Sequence, residues 1–176
     1  MVPDPTRLRL LAGLLAMPTV DSLTLLEELA GQEAWLGDAV AELKTLALEH
    51  WQGEHTRLFV SGYPHTACPP FESAYRSGQM GGPMVEDVVA LYRRYGLEAT
   101  DIPADYLGAL LECAAHLLER PQPVEQSAWL TLWEGHLATW VPRFANDLIK
   151  ESRIVLYRRL GQELYRLFSD DDRSPA

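Results

Sequence analysis

Cysteine, long apolar runs and positive charge are all scarce in this sequence, and each shortage excludes a class of protein. The 176 residues include 2 cysteines, Cys68 and Cys113, which lie far apart in the chain. They do not form the disulfide framework of a small secreted protein, so we expect a reducing compartment. No run of about 18 consecutive apolar residues occurs, so we expect no membrane-spanning helix and no stable membrane insertion.

The charge balance disfavours two kinds of partner. Lys and Arg together number 15 against 25 Asp and Glu, which gives a formal net charge of −10. Nucleic acid and anionic membranes would be repelled, whereas a cationic partner would be attracted. The N-terminal apolar run is similar to a signal peptide, but Arg7 and Arg9 interrupt it and no cleavage site of small residues follows. We therefore expect a cytoplasmic protein that binds no nucleic acid.

Helical periodicity covers nearly the whole sequence, and no convincing alternating β-branched run interrupts it. Asp4 and Pro5 are typical of a helix cap and a first helical position. A long helix is expected over residues 35–50, where apolar residues recur at the spacing of one buried stripe. Gly96 is expected to end another helix in the left-handed conformation.

These patterns predict an all-α, single-domain bundle of about eight or nine helices. The bundle is expected to occupy residues 1–169, in two packed halves joined by a short hinge around residues 97–105. Residues 170–176 are expected to form a disordered acidic tail. We expect a monomer, or a domain-swapped dimer that exchanges its C-terminal half across the hinge.

Few residues are arranged for catalysis. The sequence has no phosphate-cradling loop and no dinucleotide fingerprint. Cys113 and His116 share a helix face, but no further metal ligands lie near them in the sequence. His65, Cys68 and Glu72 would have to build a thiol site within one short loop, without a rigid scaffold around it. We therefore expect no enzyme, no catalytic residue, no metal and no cofactor.

The segment CPPFESAYRSG, residues 68–78, differs from its helical flanks because it concentrates prolines, aromatics, a carboxylate and hydroxyl groups. The segment either turns the chain between two helices or carries the function. A loop with so much apolar surface either folds onto the core or offers a binding groove. Composition alone favours neither reading.

The sequence around this segment resembles the signature of the TorD/DmsD/NarJ family of redox-enzyme maturation chaperones. The stretch EHTRLFVSGYPHTACPPFESAY is similar to a Leu-Phe element of that family, followed by a Gly and a Pro-Pro-aromatic-Glu-Ser-x-Tyr element. The matching residues are Leu58, Phe59, Gly62, Pro69, Pro70, Phe71, Glu72, Ser73 and Tyr75.

Two further stretches extend the resemblance, in the order the family has them. DIPADYLGALLECAAHLLER is similar to the family's Glu-Pro-x-Asp-His stretch and the helix after it. EGHLATWVPRF is similar to a His-Leu-x-x-Trp-x-Pro-x-Phe run. The matching residues are Pro103, Asp105, Leu110 and Leu111 in the first stretch, and His136, Leu137, Trp140, Pro142 and Phe144 in the second.

Three positions depart from the family pattern. His55 stands where the family has an aromatic residue, Ile102 where it has an acid, and Tyr106 where it has a histidine. The last two bear on the expected hinge and on any nucleotide-related role there. We therefore expect no GTP binding.

The resemblance implies a cytoplasmic, non-catalytic chaperone for the catalytic subunit of a molybdenum oxidoreductase. Such chaperones bind the client's N-terminal segment, often a twin-arginine signal peptide, and hold it for molybdopterin insertion before export or assembly. An all-α adaptor for another amphipathic segment is the main alternative. A small thiol or metal enzyme that uses Cys68, His65 and Glu72 is the weaker one.

The client-binding groove is expected around the signature residues. A leader supplies cationic side chains and an apolar run, which can enter a groove as a helix. Affinity is expected from apolar residues, so Phe59→Ala or Phe71→Ala should weaken binding more than Glu72→Gln. Glu72 and Asp105 are expected to orient the cationic part. The predicted set is His55, Leu58, Phe59, Pro70, Phe71, Glu72, Tyr75, Asp105 and Tyr106.

Overall fold

The computed structural model describes residues 2–120 and 123–169. Within these ranges the chain forms ten α-helices, and its β-structure is limited to one isolated bridge between Phe71 and Tyr106. The expected all-α class is confirmed, and ten helices are consistent with the expected count of about eight or nine. The helices are α1 Pro5–Leu14, α2 Ser22–Ala30, α3 Gly37–Leu43, α4 Leu48–His55, α5 Glu72–Ser77, α6 Pro83–Arg94, α7 Leu107–Leu118, α8 Pro123–Leu132, α9 Val141–Glu151 and α10 Val155–Phe168.

The chain divides into two compact units, each assembled from separate stretches of sequence. The first unit contains Met1–Ala16, Pro70–Arg143 and Arg166–Ala176, and the second contains Met17–Pro69 and Phe144–Tyr165. The expected hinge around residues 97–105 lies within the first unit, and its role as a hinge stays a prediction. The expected disordered tail, residues 170–176, lies outside the described residues.

The first unit is built around α7, whose side chains are buried over most of its length. This helix packs against α1 and α8. The predicted start of α1 is confirmed, since Pro5 is its first residue and the Asp4 carboxylate accepts a hydrogen bond from the Thr6 backbone N–H at 2.9 Å. The cap satisfies a donor that the helix itself leaves unpaired.

Glycines end the two helices that precede α7. Gly78 follows α5 with φ 74°, and Gly96 lies just after α6 with φ 70°. Side chains other than glycine rarely adopt this left-handed conformation, so both positions favour glycine. The expected left-handed end at Gly96 is confirmed.

The second unit contains α2, α3 and α4, and here one expectation was wrong. The long helix expected over residues 35–50 is interrupted between α3 and α4, and a short 3₁₀ turn, Ala34–Leu36, precedes α3. The Thr45 hydroxyl donates to the Glu42 carbonyl oxygen at 2.7 Å, which takes an acceptor at the end of α3. Such local bonds compete with helix continuation, and the apolar period does not reveal them.

Among residues 2–120 and 123–169, every helix is too short or too polar to span a bilayer.

Candidate functional site

His55, Leu58 and Phe59, the first part of the predicted set, lie inside the second unit. Their relative exposures are 5 %, 0 % and 4 %. The Phe59 ring contacts the Tyr157 ring edge-on at a centroid distance of 5.1 Å and lies 6.4 Å from the Phe144 ring. These side chains therefore fill an aromatic core and, in this conformation, present almost no surface to a client.

A buried carboxylate fixes the helical turn that carries this core. Glu54 accepts hydrogen bonds from Arg57 Nε at 2.8 Å and from the Arg153 backbone N–H at 2.7 Å. Burial raises the pKa of Glu54, but the hydrogen bonds from Arg57 and Arg153 outweigh burial, and the pKa lies below its ordinary value. Arg57 also donates to the Glu151 carbonyl oxygen at 2.6 Å. These hydrogen bonds of Glu54 and Arg57 connect the end of α4 with Glu151, the last residue of α9, and with Arg153 just after it.

The remaining predicted residues meet in the first unit, where the backbone joins two signature stretches. The Leu107 N–H donates to the Pro70 carbonyl oxygen at 2.8 Å, and the Glu72 N–H donates to the Asp105 carbonyl oxygen at 3.1 Å. The rings of Phe71 and Tyr106 lie 5.7 Å apart. Pro69 and Pro70 have no backbone N–H to donate. The bridge between Phe71 and Tyr106 gives hydrogen-bond partners to the backbone N–H groups of Glu72 and Leu107.

A buried carboxylate–hydroxyl pair strengthens the same join. Asp105 is 1 % exposed, and its Oδ2 accepts from the Ser73 N–H at 2.9 Å and from the Ser73 hydroxyl at 2.5 Å. The Ser73 oxygen in turn accepts from the Gly81 N–H at 3.0 Å. A buried carboxylate needs such donors, so Asp105 positions α5 and the loop after it.

The third signature stretch joins the cluster through Glu72. This carboxylate is fully buried and lies 2.9 Å from His136 Nδ1 and 2.5 Å from Arg76 Nη1. Arg76 also donates to the Gly135 carbonyl oxygen at 2.9 Å. Both Glu72 oxygens are thereby engaged by groups of this unit, and the carboxylate ties α5 to the wide π-type turn Trp133–Leu137.

Aromatic contacts complete the link between the first and third stretches. The Tyr75 ring lies 5.5 Å from the Trp140 ring, and the Arg143 guanidinium lies 5.6 Å above the Tyr75 ring. Trp140 Nε1 donates to the His136 carbonyl oxygen at 2.6 Å. Parts of all three signature stretches therefore meet in one cluster of the first unit, and the polar groups of those parts build its frame.

A concave groove of about 510 Å³ opens in the same unit, and the sequence reasoning missed it. Its volume falls within the range of about 300–1,000 Å³ typical of ligand sites. Small residues of α1 and α7 form one part of the lining, and the loop after α6 forms another. Its lining includes Arg9, Gly13, Glu98, Ile102, Tyr106 and Glu112.

Polar contacts pin the two helices of this groove at both ends. At one end, the Tyr106 hydroxyl donates to the Leu15 carbonyl oxygen at 3.3 Å. A Cβ at Gly108 would lie 2.4 Å from the Tyr106 ring, so only glycine allows the ring to lie there. At the other end, Arg9 donates to both Glu119 oxygens and lies 3.4 Å from Glu112. Since both ends are fixed, the groove is formed without a ligand.

Small residues on the N-terminal helix were the available sequence signal for this groove. Ala12, Gly13 and Ala16 recur at helical spacing and all line the groove; the first two lie on α1, and Ala16 follows its end. Small side chains attract little attention in a search for reactive or bulky groups, and their partners on α7 are distant in sequence. Of the predicted set, Tyr106 alone is among the residues that line the groove.

The two thiols are unsuited to catalysis. Burial raises the pKa of Cys68 to about 12 and that of Cys113 to about 12, so neither is a thiolate near neutral pH. Cys68 is fully buried, whereas His65 is exposed. Among the residues that the structure describes, no group of three or more His, Cys, Asp or Glu side chains is placed to hold a metal ion.

Comparison with known proteins gives three matches. A family model described as nitrate reductase delta subunit matches residues 24–146. The chaperone protein YcdY of Escherichia coli strain K12 is 25% identical over 118 residues, which cover 67% of this chain and 61% of that relative. The chain thus spans about three fifths of the relative's length. A crystal structure of a candidate redox enzyme maturation protein from Archaeoglobus fulgidus matches with a TM-score of 0.69 and 23% identity, over 95% of this chain and 94% of that one.

The helical fold, the signature stretches and the family match over residues 24–146 together define the class of protein. The chain belongs to the nitrate reductase delta subunit family. Membership confirms the resemblance to the TorD/DmsD/NarJ chaperones and the expectation of a chaperone rather than an enzyme.

Proposed function

We propose that this protein is a cytoplasmic chaperone for the catalytic subunit of a molybdenum oxidoreductase. It binds the N-terminal segment of that subunit, a functional or vestigial twin-arginine leader, and holds the subunit for cofactor insertion before export or assembly. The observation that carries the proposal is the family match over residues 24–146. The net charge of −10 supports it, because a cationic leader is drawn toward an acidic protein.

Exposure divides the predicted client-binding residues into two roles. Phe71, Tyr75 and Tyr106 are half-buried, and we assign client contact to them. Leu58 and Phe59 act indirectly, since the core of the second unit already occupies their side chains. The other buried members of the predicted set, His55, Pro70, Glu72 and Asp105, act through the frames that they hold together.

The energetics fit a leader that binds through its apolar run. Each Leu-sized side chain buried in a groove contributes roughly 1.5–3 kcal/mol. Association itself costs at least about 4 kcal/mol, so four well-buried anchors are needed to reach about −8 kcal/mol, a micromolar complex. Exposed ion pairs add about 0–1 kcal/mol each. Charge therefore serves orientation and association rate more than affinity.

Co-purification tests the proposal. The tagged chain, expressed in its own host, should retain a molybdopterin oxidoreductase subunit, identified by mass spectrometry. Deletion of the N-terminal segment of that subunit should abolish the complex, and a peptide of the segment should bind the purified chain in calorimetry. Retention of an unrelated helical protein, or of the oxidoreductase subunit equally with and without its N-terminal segment, would overturn the proposal.

A further inference from the structure

The groove of the first unit has apolar walls and an acidic rim. Ile102 is 46% exposed, although it lines the groove and is a large aliphatic residue. An added Cβ at Gly13 would have nothing within 4 Å, so the chain's own atoms leave the space above this residue open. Apolar surface of this kind is stabilised when another apolar group covers it.

The charge around the groove selects among possible occupants. Glu98 and Glu112 line it, and the Glu112 side chain is 54% exposed. Arg9 also lines it, but this guanidinium is shared between Glu112 and Glu119. The rim thus holds two carboxylates, and its arginine is already paired with Glu112 and with Glu119 beside the groove, while the chain as a whole carries −10. An occupant that carries positive charge beside its apolar surface is complementary to this rim.

The dimensions favour a helix over a small molecule. The groove extends from Arg9 on α1 to Ala16, just after the end of that helix, and along α7 from Gly108 to His116, a length of about two helical turns on each side. A helix that enters such a groove presents apolar anchors at i, i+3, i+4 and i+7, which span the same length. Because Ala12 and Gly13 on α1 and Gly108 and Ala109 on α7 are small, the groove leaves room for bulky side chains of the occupant.

We infer that this groove is the docking site for the client leader, whose apolar run lies as a helix along α1 and α7 while a neighbouring arginine faces Glu98 and Glu112. The inference rests on the proposed function and adds to it the location and orientation of the bound segment. It places the affinity of the complex on α1, which lies outside the three signature stretches, and on Ile102, Tyr106 and the facing side of α7, which belong to the second stretch.

Gly13→Leu is the most direct test, because the new side chain projects into the groove while leucine favours the helix. Its matched control is Gly53→Leu. Gly53 is also helical and exposed, and no heavy atom lies within 4 Å of an added Cβ there, but this residue belongs to the second unit and not to the groove. The probe is a synthetic peptide of the N-terminal segment of the oxidoreductase subunit that co-purifies with the wild-type chain. Calorimetry should give a dissociation constant at least tenfold larger for Gly13→Leu and an unchanged one for Gly53→Leu.

A second pair of variants tests the opposite wall. Ile102→Asp should weaken binding of the same peptide by at least tenfold. The control is Leu25→Asp, at a residue of α2 that is 56% exposed, and it should leave the affinity unchanged. Glu98→Gln should lower the affinity for the peptide by up to about fivefold, and this loss of affinity should disappear when the peptide arginines are replaced by glutamine.

The outcomes separate the inference from the proposed function. If the wild-type chain binds the peptide and the groove variants bind it as tightly as their controls, the docking site is wrong and the proposed function stands. If the wild-type chain binds no such peptide, the proposed function fails and the inference with it. If the wild-type chain dimerises in sedimentation experiments and Gly13→Leu abolishes the dimer, a second copy is the occupant and the inference is overturned.

Discussion

The aromatic core around Phe59 and the groove beside Gly13 are both rich in apolar atoms, yet they differ in what covers those atoms. Phe59 is 4 % exposed because Tyr157 and Phe144 pack against it. At Gly13, no heavy atom lies within 4 Å of an added Cβ. A bulky signature residue such as Phe59 can thus be buried and out of reach of a partner. A small residue outside the signature, such as Gly13, can leave space that a partner's side chain fills.

The same contrast exists for buried charge. Glu54 and Glu72 both lie in the first signature stretch, with exposures of 5 % and 0 %, and each carboxylate is paired with an arginine of its own helical turn. Neither lines the groove, whereas Glu98 and Glu112 do. Buried carboxylates therefore stabilise the frame, and exposed carboxylates at the rim are those that can meet a cationic leader.

The largest expected effect tests the core. Phe59→Ala should lower the free energy of unfolding by about 3–5 kcal/mol, because a large ring is removed from a packed aromatic cluster. Urea denaturation followed by fluorescence measures it, with Val60→Ala as the control, since Val60 is 60% exposed. The folded Phe59→Ala protein should bind the leader peptide within about threefold of wild type. A large loss of affinity in protein shown to be folded would mean that Phe59 contacts the client.

An intermediate effect concerns Glu54 and pH. Its folded-state pKa lies below its ordinary value of 4.5, so its contribution to stability is fully present above that value and is lost as pH falls through the lower, folded-state pKa. Glu54→Gln should cost about 1–3 kcal/mol at pH 7, because hydrogen bonds to a charged acceptor are lost. The difference from wild type should shrink below pH 4.5.

Urea melts at pH 7 and at acid pH, with Glu28→Gln as an exposed control, measure this effect. If the difference in free energy of unfolding between Glu54→Gln and wild type stayed the same across the acid range, the role assigned to the carboxylate would be contradicted.

The smallest expected effect sharpens the contrast at the groove. Gly13→Leu should stabilise the free protein by roughly 0.5–1 kcal/mol, since Gly is a poor residue inside a helix and the added side chain meets no neighbour. Thermal unfolding should show a small rise in melting temperature, alongside the loss of peptide affinity. A destabilised Gly13→Leu protein would mean that the groove is not open at this residue.

Local patterns along the chain were sufficient to predict most of the helices, but not which of the signature residues are buried. Asp4, Pro5 and Gly96 act through their nearest neighbours, so their roles at helix ends could be predicted. The interruption after α3 was missed because the Thr45 hydroxyl bond does not alter the apolar period. Phe59 is buried by Phe144 and Tyr157, which follow it by many residues and belong to other helices.

The groove was unpredictable for a related reason. It exists because α1 and α7 meet side by side with small residues between them, and Tyr106 and Arg9 hold the ends. The sequence distances between these pairs are long, and a residue such as Gly13 carries no chemistry of its own. The signature residues, which hold the frame, are therefore conspicuous in the sequence, whereas the small residues beside the groove are not.

Photo-crosslinking from Thr100 tests the central claim most directly, because Thr100 lines the groove and is exposed. The chain would carry benzoylphenylalanine in place of Thr100 and be irradiated with the N-terminal peptide of its oxidoreductase client. The account predicts a one-to-one adduct within the apolar run of the peptide, absent when the probe replaces exposed Val60. Adducts that form equally from both positions, or only between two copies of the chain, would contradict it.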